Sequence, residues 1–191
     1  MARPRYAQGD PRGPERFINA FWQVLATKPY ERMTVRDVVA AADMNKNSFY
    51  YHFTNLDDLA EDAVADLPLQ QIRAAFLAGE PPRSIAARTL STDDGEERLR
   101  RVRLLASRNG TALTPLLERL LIETWAQNED SHTAALSTDD EIALNFVIGG
   151  MLTIHRRTNE AEAIPALLNF LGSALGQACL ARLQHIGEAT E

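Results

Sequence analysis

Polar and aromatic side chains between residues 45 and 52 carry the groups best suited to contact another molecule. The run begins with Asn45, Lys46, Asn47 and Ser48 and continues through Tyr50, Tyr51 and His52. Asparagine can bond adenine in two places, and lysine can reach guanine acceptors, when a helix enters the major groove of DNA. Tyrosine hydroxyls suit phosphate oxygens, which position a protein without reading sequence. We therefore expect the first four residues to face bases and the two tyrosines to face phosphates. A plain solvated charge at Lys46 and a half-buried core position for Tyr50 are the alternatives.

A helix start upstream supplies a further phosphate contact. Thr34 directly precedes a run in which Val35, Val38 and Val39 recur at helical spacing, and Asp37 follows three residues after it. This pattern predicts an N-cap with an acidic residue in the first turn. Because hydroxyl and backbone N–H groups at a helix N-terminus bind phosphate, Thr34 is predicted to contact the DNA backbone.

Short helices joined by a tight turn must position these side chains. We predict a first helix over residues 14–27, a second beginning at residue 35 and a third over residues 46–53, with the turn at 43–45. The apolar stripe of the first helix recurs at three- and four-residue spacing; it consists of Phe17, Ala20, Phe21, Val24 and Leu25. Phe49 and Phe53 share one face of the third helix and are predicted to lie in the core.

Residues 16–59, about a quarter of the chain, resemble the DNA-binding domain of the tetracycline-repressor (TetR) family of bacterial regulators. The matching positions are Arg16, Ala20, Phe21, Thr34 to Val38, Ala42, Met44 to Phe53, and Asp57 to Leu59. The resemblance implies a dimeric, sequence-specific transcriptional regulator, a repressor released from an operator in double-stranded DNA by a small molecule. It also implies DNA contacts by Arg36 and His52, for which a solvated charge and a residue closing the turn are the alternatives. Leu56 stands where the family often has a phosphate-binding lysine, which predicts weaker binding per half-site.

The rest of the chain shows helical periodicity and no strand-like alternation, so we predict an all-α protein of about nine helices. The expected organisation is a flexible arm over residues 1–13, a three-helix DNA-binding domain over 14–55 and a larger regulatory and dimerisation domain over 56–191. The arm contains Arg3, Arg5 and Arg12, which either reach a minor groove or make no contact. Pro68 is predicted to bend a long fourth helix that begins near Asn55. Pro165 is predicted to lie in the first turn of a single final helix.

Two sets of residues in the larger domain are predicted to bind partners. The last two helices are unusually apolar, and we expect them to form a four-helix bundle with a second copy of the chain. The dimerisation candidates are Phe146, Gly149, Leu152, Leu168, Leu171, Gly172, Leu175 and Gly176. By the resemblance, the middle helices surround a small-molecule site, for which Phe76, Arg103 and Trp125 are candidates. Ordinary core positions are the alternative for Phe76 and Trp125, and packing of the last helices inside one monomer is the alternative for the dimer.

Net charge and composition restrict the classes of function that this chain can have. The net charge is −6, with eight Lys or Arg against seven Asp or Glu in residues 1–60 and 12 against 19 in residues 61–191. An acidic body argues against a protein that coats nucleic acid along its whole surface. The single cysteine, Cys179, fits a reducing cytosol. No signal peptide and no membrane span are expected, so the predicted location is cytoplasmic.

An enzyme is not expected. The four histidines lack metal-ligand spacing, and no nucleophile motif, P-loop or dinucleotide fingerprint is present. No cofactor or metal is predicted. The alternative function is a helical interaction protein or small-molecule carrier that keeps the fold without binding DNA.

Overall fold

The computed structural model describes residues 13–126, 137–157 and 160–184. The chain divides into two compact units, Met1–Asp66 and Leu67–Glu191. Every regular element in the described part of the chain is a helix and none is a strand, which confirms the all-α prediction. Apart from Gly13, the predicted N-terminal arm lies outside the described residues.

In its described residues, 13–66, the first unit contains four α-helices and one 3-10 helix. The helices are α1 (Gly13–Leu25), α2 (Val35–Ala41), α3 (Lys46–His52) and α4 (Leu56–Ala65), with the 3-10 helix Tyr30–Arg32 between α1 and α2. Helix α1 packs against each of the other three helices. Its apolar stripe provides the centre of the unit, because Phe17, Phe21 and Leu25 are fully buried. The unit is therefore built around α1, and α4 belongs to it.

The described part of the second unit contains seven α-helices. They are α5 (Leu69–Leu77), α6 (Pro82–Leu90), α7 (Gly95–Ala106), α8 (Thr114–Ala126), α9 (Thr138–Arg157), α10 (Glu160–Leu171) and α11 (Ala174–Gln184). The 3-10 helix Arg108–Leu113 joins α7 to α8. Helix α9 is central, since α7, α8, α10 and α11 all pack against it. Its inward face is formed by Leu144, Ile148 and Leu152, which are buried.

Pro68 ends a helix rather than bending one, so the prediction of a continuous fourth helix is wrong. Helix α4 stops at Ala65 and α5 begins at Leu69. Between them Pro68 has φ −76° and ψ 47°, and the Leu69 N–H donates to the Leu67 carbonyl at 2.7 Å. These are the features of an inverse γ-turn. The break follows because proline lacks the N–H for the helical ladder and disfavours helical backbone in the preceding residue.

The prediction of a single final helix is also wrong, because a sharp bend divides this segment into α10 and α11. The two segments meet at 78°. The Ser173 hydroxyl caps α11 by accepting from the Gly176 N–H at 3.1 Å. A Cβ on Gly176 would lie 2.1 Å from the Phe170 carbonyl oxygen, so only glycine permits this bend. Pro165 lies inside α10, whose first residue is Glu160, and not in a first turn.

Candidate nucleic-acid interface and internal cavity

An aromatic cluster fixes α3 against α1. The Phe17 ring lies edge-on to Phe49, with centroids 5.4 Å apart, and edge-on to Phe53 at 6.0 Å. Phe49 and Phe53 are buried, which confirms their predicted core positions. Edge-to-face pairs of this kind stabilise a core beyond the area they bury. The opposite face of α3 is thereby held outward.

The turn between α2 and α3 is a defined C-cap. Asp43 has φ 50°, and the Met44 and Asp43 N–H groups donate to the carbonyls of Val39 and Ala40. This is the Schellman arrangement, in which aspartate tolerates the left-handed backbone that usually calls for glycine. The Arg16 guanidinium donates to the Ala42 carbonyl at 2.9 Å, so α1 also holds the end of α2. The turn sets the angle at which α3 is presented.

The outward face of α3 brings most of the predicted DNA-contacting residues together. Tyr50 and Tyr51 are 52% and 68% exposed, which is unusual for large aromatic side chains. Lys46 and Asn47 are exposed one turn earlier on the same helix. The Lys46 ammonium lies 5.6 Å from the centroid of the Tyr50 ring, within the range of a cation–π contact. This surface, Lys46, Asn47, Tyr50 and Tyr51, is called the α3 face below.

His52 lies behind the α3 face rather than on it. Its side chain is half-buried, with its ring 4.9 Å from that of Tyr51 and 6.3 Å from that of Phe17. The histidine therefore packs between the aromatic core and an exposed tyrosine.

Asn45 and Ser48 form the N-cap of α3. The Asn45 amide oxygen accepts from the Ser48 N–H at 2.8 Å. In this arrangement one lone pair of the Asn45 amide oxygen is engaged, and the amide NH₂ remains able to donate to another molecule. An asparagine needs both its oxygen and its nitrogen to bond adenine in two places. While it caps the helix, Asn45 can therefore donate to a phosphate or a base acceptor, and the cap competes for the oxygen that the bidentate adenine contact uses.

Thr34 caps α2 through a closed capping box. Its hydroxyl donates to the Asp37 carboxylate at 2.6 Å and accepts from the Asp37 N–H, and its own N–H donates to the same carboxylate at 2.8 Å. Lys28 completes the group with an ion pair to Asp37 at 2.7 Å. The Lys28 hydrogen bond, followed by that of Thr34, lowers the pKa of Asp37 to about 2. The Thr34 groups that sequence reasoning assigned to a phosphate are thus occupied within the unit. Arg36 beside them is exposed, and no ion pair of its side chain occurs among the described residues.

The start of α4 is anchored to the 3-10 helix. The Tyr30 hydroxyl donates to the Asp57 carboxylate, and burial together with this bond raises the pKa of Tyr30. Residues 13–66 hold five Lys or Arg and nine Asp or Glu, and five of those acids lie in α4 or at its end. Helix α3 contains Lys46 and no acidic residue. The nine acidic residues of this segment therefore all lie outside α3, the helix that carries the α3 face.

A cavity of about 290 Å³, partly open to solvent, lies between the helices of the second unit. It is bounded by residues from all seven helices of the unit and by Leu67 and Pro68 of the γ-turn. Of the three predicted ligand-binding residues, Phe76 and Trp125 line the cavity and Arg103 does not. Arg98, one turn earlier on α7, lines it instead, and sequence reasoning missed it. The spacing of Gly95, Arg98 and Val102 along one face of α7 is the signal that could have found it.

The predicted dimerisation residues divide into three groups. Phe146 and Leu175 are 53% and 56% exposed and border a shallow groove between α9 and α11, together with Ile142. Gly149 and Gly172 are also exposed. Leu168 and Leu171 instead line the cavity, while Leu152 and Gly176 are buried within the unit. The exposed side chains of Ile142, Phe146 and Leu175 are called the α9–α11 patch below.

No group of three or more His, Cys, Asp or Glu side chains able to hold a metal ion occurs in the described part of the chain. No single described helix is long and apolar enough to cross a membrane; by length and composition only the bent α10–α11 pair qualifies.

Comparison with known proteins places the first unit in a family. Residues 17–63 match the family model for bacterial regulatory proteins of the tetR family. The match covers α1 to α3 and most of α4, the elements that build the α3 face. No curated protein matches the chain.

Proposed function

Since this chain belongs to the tetR family of bacterial regulatory proteins and is a DNA-binding transcriptional regulator, we propose that it is a homodimeric repressor released from its operator by a small molecule. The observation that carries the proposal is the α3 face: a cation, an amide and two tyrosines held outward by a buried aromatic cluster. In helix-turn-helix proteins the second helix of the motif enters the major groove with its N-terminal residues toward the bases. The family assignment favours this function over a carrier that does not bind DNA.

The residues of the α3 face are assigned two roles: some contact bases and others contact phosphates. Lys46 and Asn47 lie in the first turn of α3, where side chains reach base edges. Tyr50 and Tyr51 follow one turn later, and their hydroxyls suit phosphate oxygens. Arg36 on α2 adds a cation that no carboxylate neutralises among the described residues. Asn45 contributes an N–H donor while its oxygen caps the helix.

Dimerisation provides a second copy of the first unit, so that the protein can bind two half-sites of the operator at once. With five basic and nine acidic side chains in residues 13–66, a single copy has little general attraction for DNA. The α9–α11 patch is the proposed interface, because three large apolar side chains are exposed together there. Exposed apolar patches of this kind mark interaction sites. Asp139 and Arg182 flank the groove, and an ion pair to Asp140 at 2.7 Å holds Arg182 beside it.

Release from the operator is assigned to the binding of a small molecule in the cavity of the second unit. Its lining includes Leu67 and Pro68, which directly follow the last residue of the first unit in the chain. A ligand that displaces these residues acts on the segment connecting the two units. A ligand can shift a protein between states only by binding one of them better. The proposed effector therefore favours the cavity geometry of the DNA-free state.

The function is tested by footprinting on DNA fragments that tile the region upstream of the chain's own gene. The wild type is expected to protect a two-fold symmetric site at low salt, and the Lys46→Ala/Tyr50→Phe variant is expected to lose it. Arg83→Ala, which removes an exposed charge from α6 in the second unit, is the control and should bind as the wild type does. Absence of protection across the tiled fragments overturns the proposal.

Salt dependence separates the two roles of Lys46. If Lys46 contacts a phosphate, Lys46→Ala lowers the slope of log K against log salt by about 0.9 per half-site, or ~1.8 per dimer. If it reads a base, the slope stays nearly unchanged and discrimination at one position falls by about 1–3 kcal/mol. We expect the second result, because Lys46 is the first residue of α3.

A further inference from the structure

The apolar lining of the partly open cavity in the second unit indicates the chemical class of its ligand. We infer that it takes an uncharged, apolar molecule of about a dozen non-hydrogen atoms, a size deduced from its volume. This inference rests on the proposed function only in identifying that molecule as the effector. Size, lining chemistry and charge each support it.

The volume sets the size. The cavity holds about 290 Å³. A buried apolar cavity of roughly 150 Å³ binds one benzene and otherwise stays dry. This cavity is about twice as large, which corresponds to a fused pair of aromatic rings or to one ring with a branched alkyl group. It lies at the lower limit of volumes typical for drug-sized ligands.

The lining sets the chemistry. Among the lining side chains only those of Thr89 and Arg98 are polar or charged, apart from the indole of Trp125. The Thr89 hydroxyl already donates to the Ile85 carbonyl at 2.8 Å. All the other side chains that line the cavity are aliphatic or aromatic, and no carboxylate or histidine is among them. A cationic ligand would therefore enter without a counter-charge, which makes its desolvation unfavourable.

The state of Arg98 disfavours an anion as well. Its guanidinium forms an ion pair with Asp94 at 2.8 Å, and Asp94 does not line the cavity. A ligand carboxylate would have to displace Asp94 or lie beside it. Because Arg98 is already paired, a ligand carboxylate gains less from it than it would from an unpaired guanidinium, and it still loses part of its hydration against the apolar lining. A neutral molecule avoids both costs.

The test uses matched neutral and anionic probes on the full-length protein by isothermal titration calorimetry. The pairs are thymol with 4-isopropylbenzoate, and 2-naphthol with 2-naphthoate, at pH 7.5. We expect each neutral probe to bind at least tenfold more tightly than its carboxylate.

Filling the cavity provides the second arm. Ala86 lines the cavity and is only half-buried, so Ala86→Leu and Ala86→Phe reduce the space in two steps. Both should weaken thymol binding, the phenylalanine by at least tenfold, with helicity by circular dichroism unchanged. The leucine variant keeps the test decisive if the phenylalanine variant does not fold. Thymol binding that survives both substitutions overturns the assignment to this cavity.

The remaining outcomes separate this inference from the proposed function. Tighter binding of the carboxylates, lost in Arg98→Leu, overturns the neutral class and leaves the repressor standing. Operator binding without any binding of thymol or 2-naphthol does the same. Thymol binding that leaves the operator affinity unchanged supports the ligand class and overturns its role as effector.

Discussion

Replacing Phe146 by glutamate tests the proposed dimer most directly. Phe146 is 53% exposed on α9, beside Ile142 at 61% and opposite Leu175 at 56%. On the inward face of the same helix Leu144 and Ile148 are buried. The Phe146 ring therefore contributes little to the core of one chain. We expect Phe146→Glu to leave the monomer folded and to separate the dimer.

The expected magnitude follows from the exposed area. A phenylalanine side chain buries about 150–250 Å² when fully covered, so the exposed half of Phe146 amounts to about 100 Å². At about 25 cal/mol per Å², covering it contributes about 2.5 kcal/mol per copy and about 5 kcal/mol per dimer. Losing this term raises the dimer dissociation constant by roughly 10³–10⁴, and two buried carboxylates raise it further.

The assay is sedimentation velocity over a concentration series, with thermal unfolding followed by circular dichroism in parallel. Leu77→Glu is the matched control, because Leu77 is 43% exposed on α5 and lies outside the patch. It introduces the same charge and should leave the dimer intact. A Phe146→Glu protein that dimerises within tenfold of the wild type would refute the α9–α11 patch as the interface. A variant that loses helicity would show that Phe146 packs within its own chain.

Three further predictions concern the first unit. Phe49→Ala should destabilise it by about 3–5 kcal/mol, because a fully buried ring leaves a cavity; hydrogen exchange should show loss of protection in α1 to α4 and retained protection in α7 and α9. Asn45→Ala should cost about 1 kcal/mol in thermal unfolding through the lost cap, whereas Asn45→Asp should keep that stability and weaken operator binding by charge repulsion. The low pKa of Asp37, about 2 against an ordinary 3.8, contributes stability that is present above pH 4 and is lost between pH 4 and 2; Asp37→Asn should flatten unfolding free energy against pH in that window.

Local signals in the first unit were strong enough to predict it. Thr34 and Asn45 precede apolar runs and cap the helices that follow them, as their residue types indicate. The spacing of Phe49 and Phe53 identified the buried face of α3. Sequence could not show that Lys28 pairs with Asp37 of this capping box, since that ion pair joins different elements.

Predictions in the second unit depended on contacts between elements, and several were wrong. Periodicity continued across Pro68 and across Gly172, yet the helices end at both places. An apolar stripe records which side of a segment is buried but not where the segment changes direction. The same limit explains why Arg103 was predicted to line the ligand site. The sequence indicated its helix, but the packing of that helix against its neighbours places Arg98, and not Arg103, at the cavity.

The sequence alone determined the class of fold, the helix-turn-helix and the residues of the α3 face, because caps, turns and helical spacing are local properties of the chain. Tertiary structure decided which apolar side chains enclose a cavity, which are buried and which are left exposed at α9 and α11. An apolar residue has the same preference for burial in each case. Only the packing of helices distant in sequence determines what covers it.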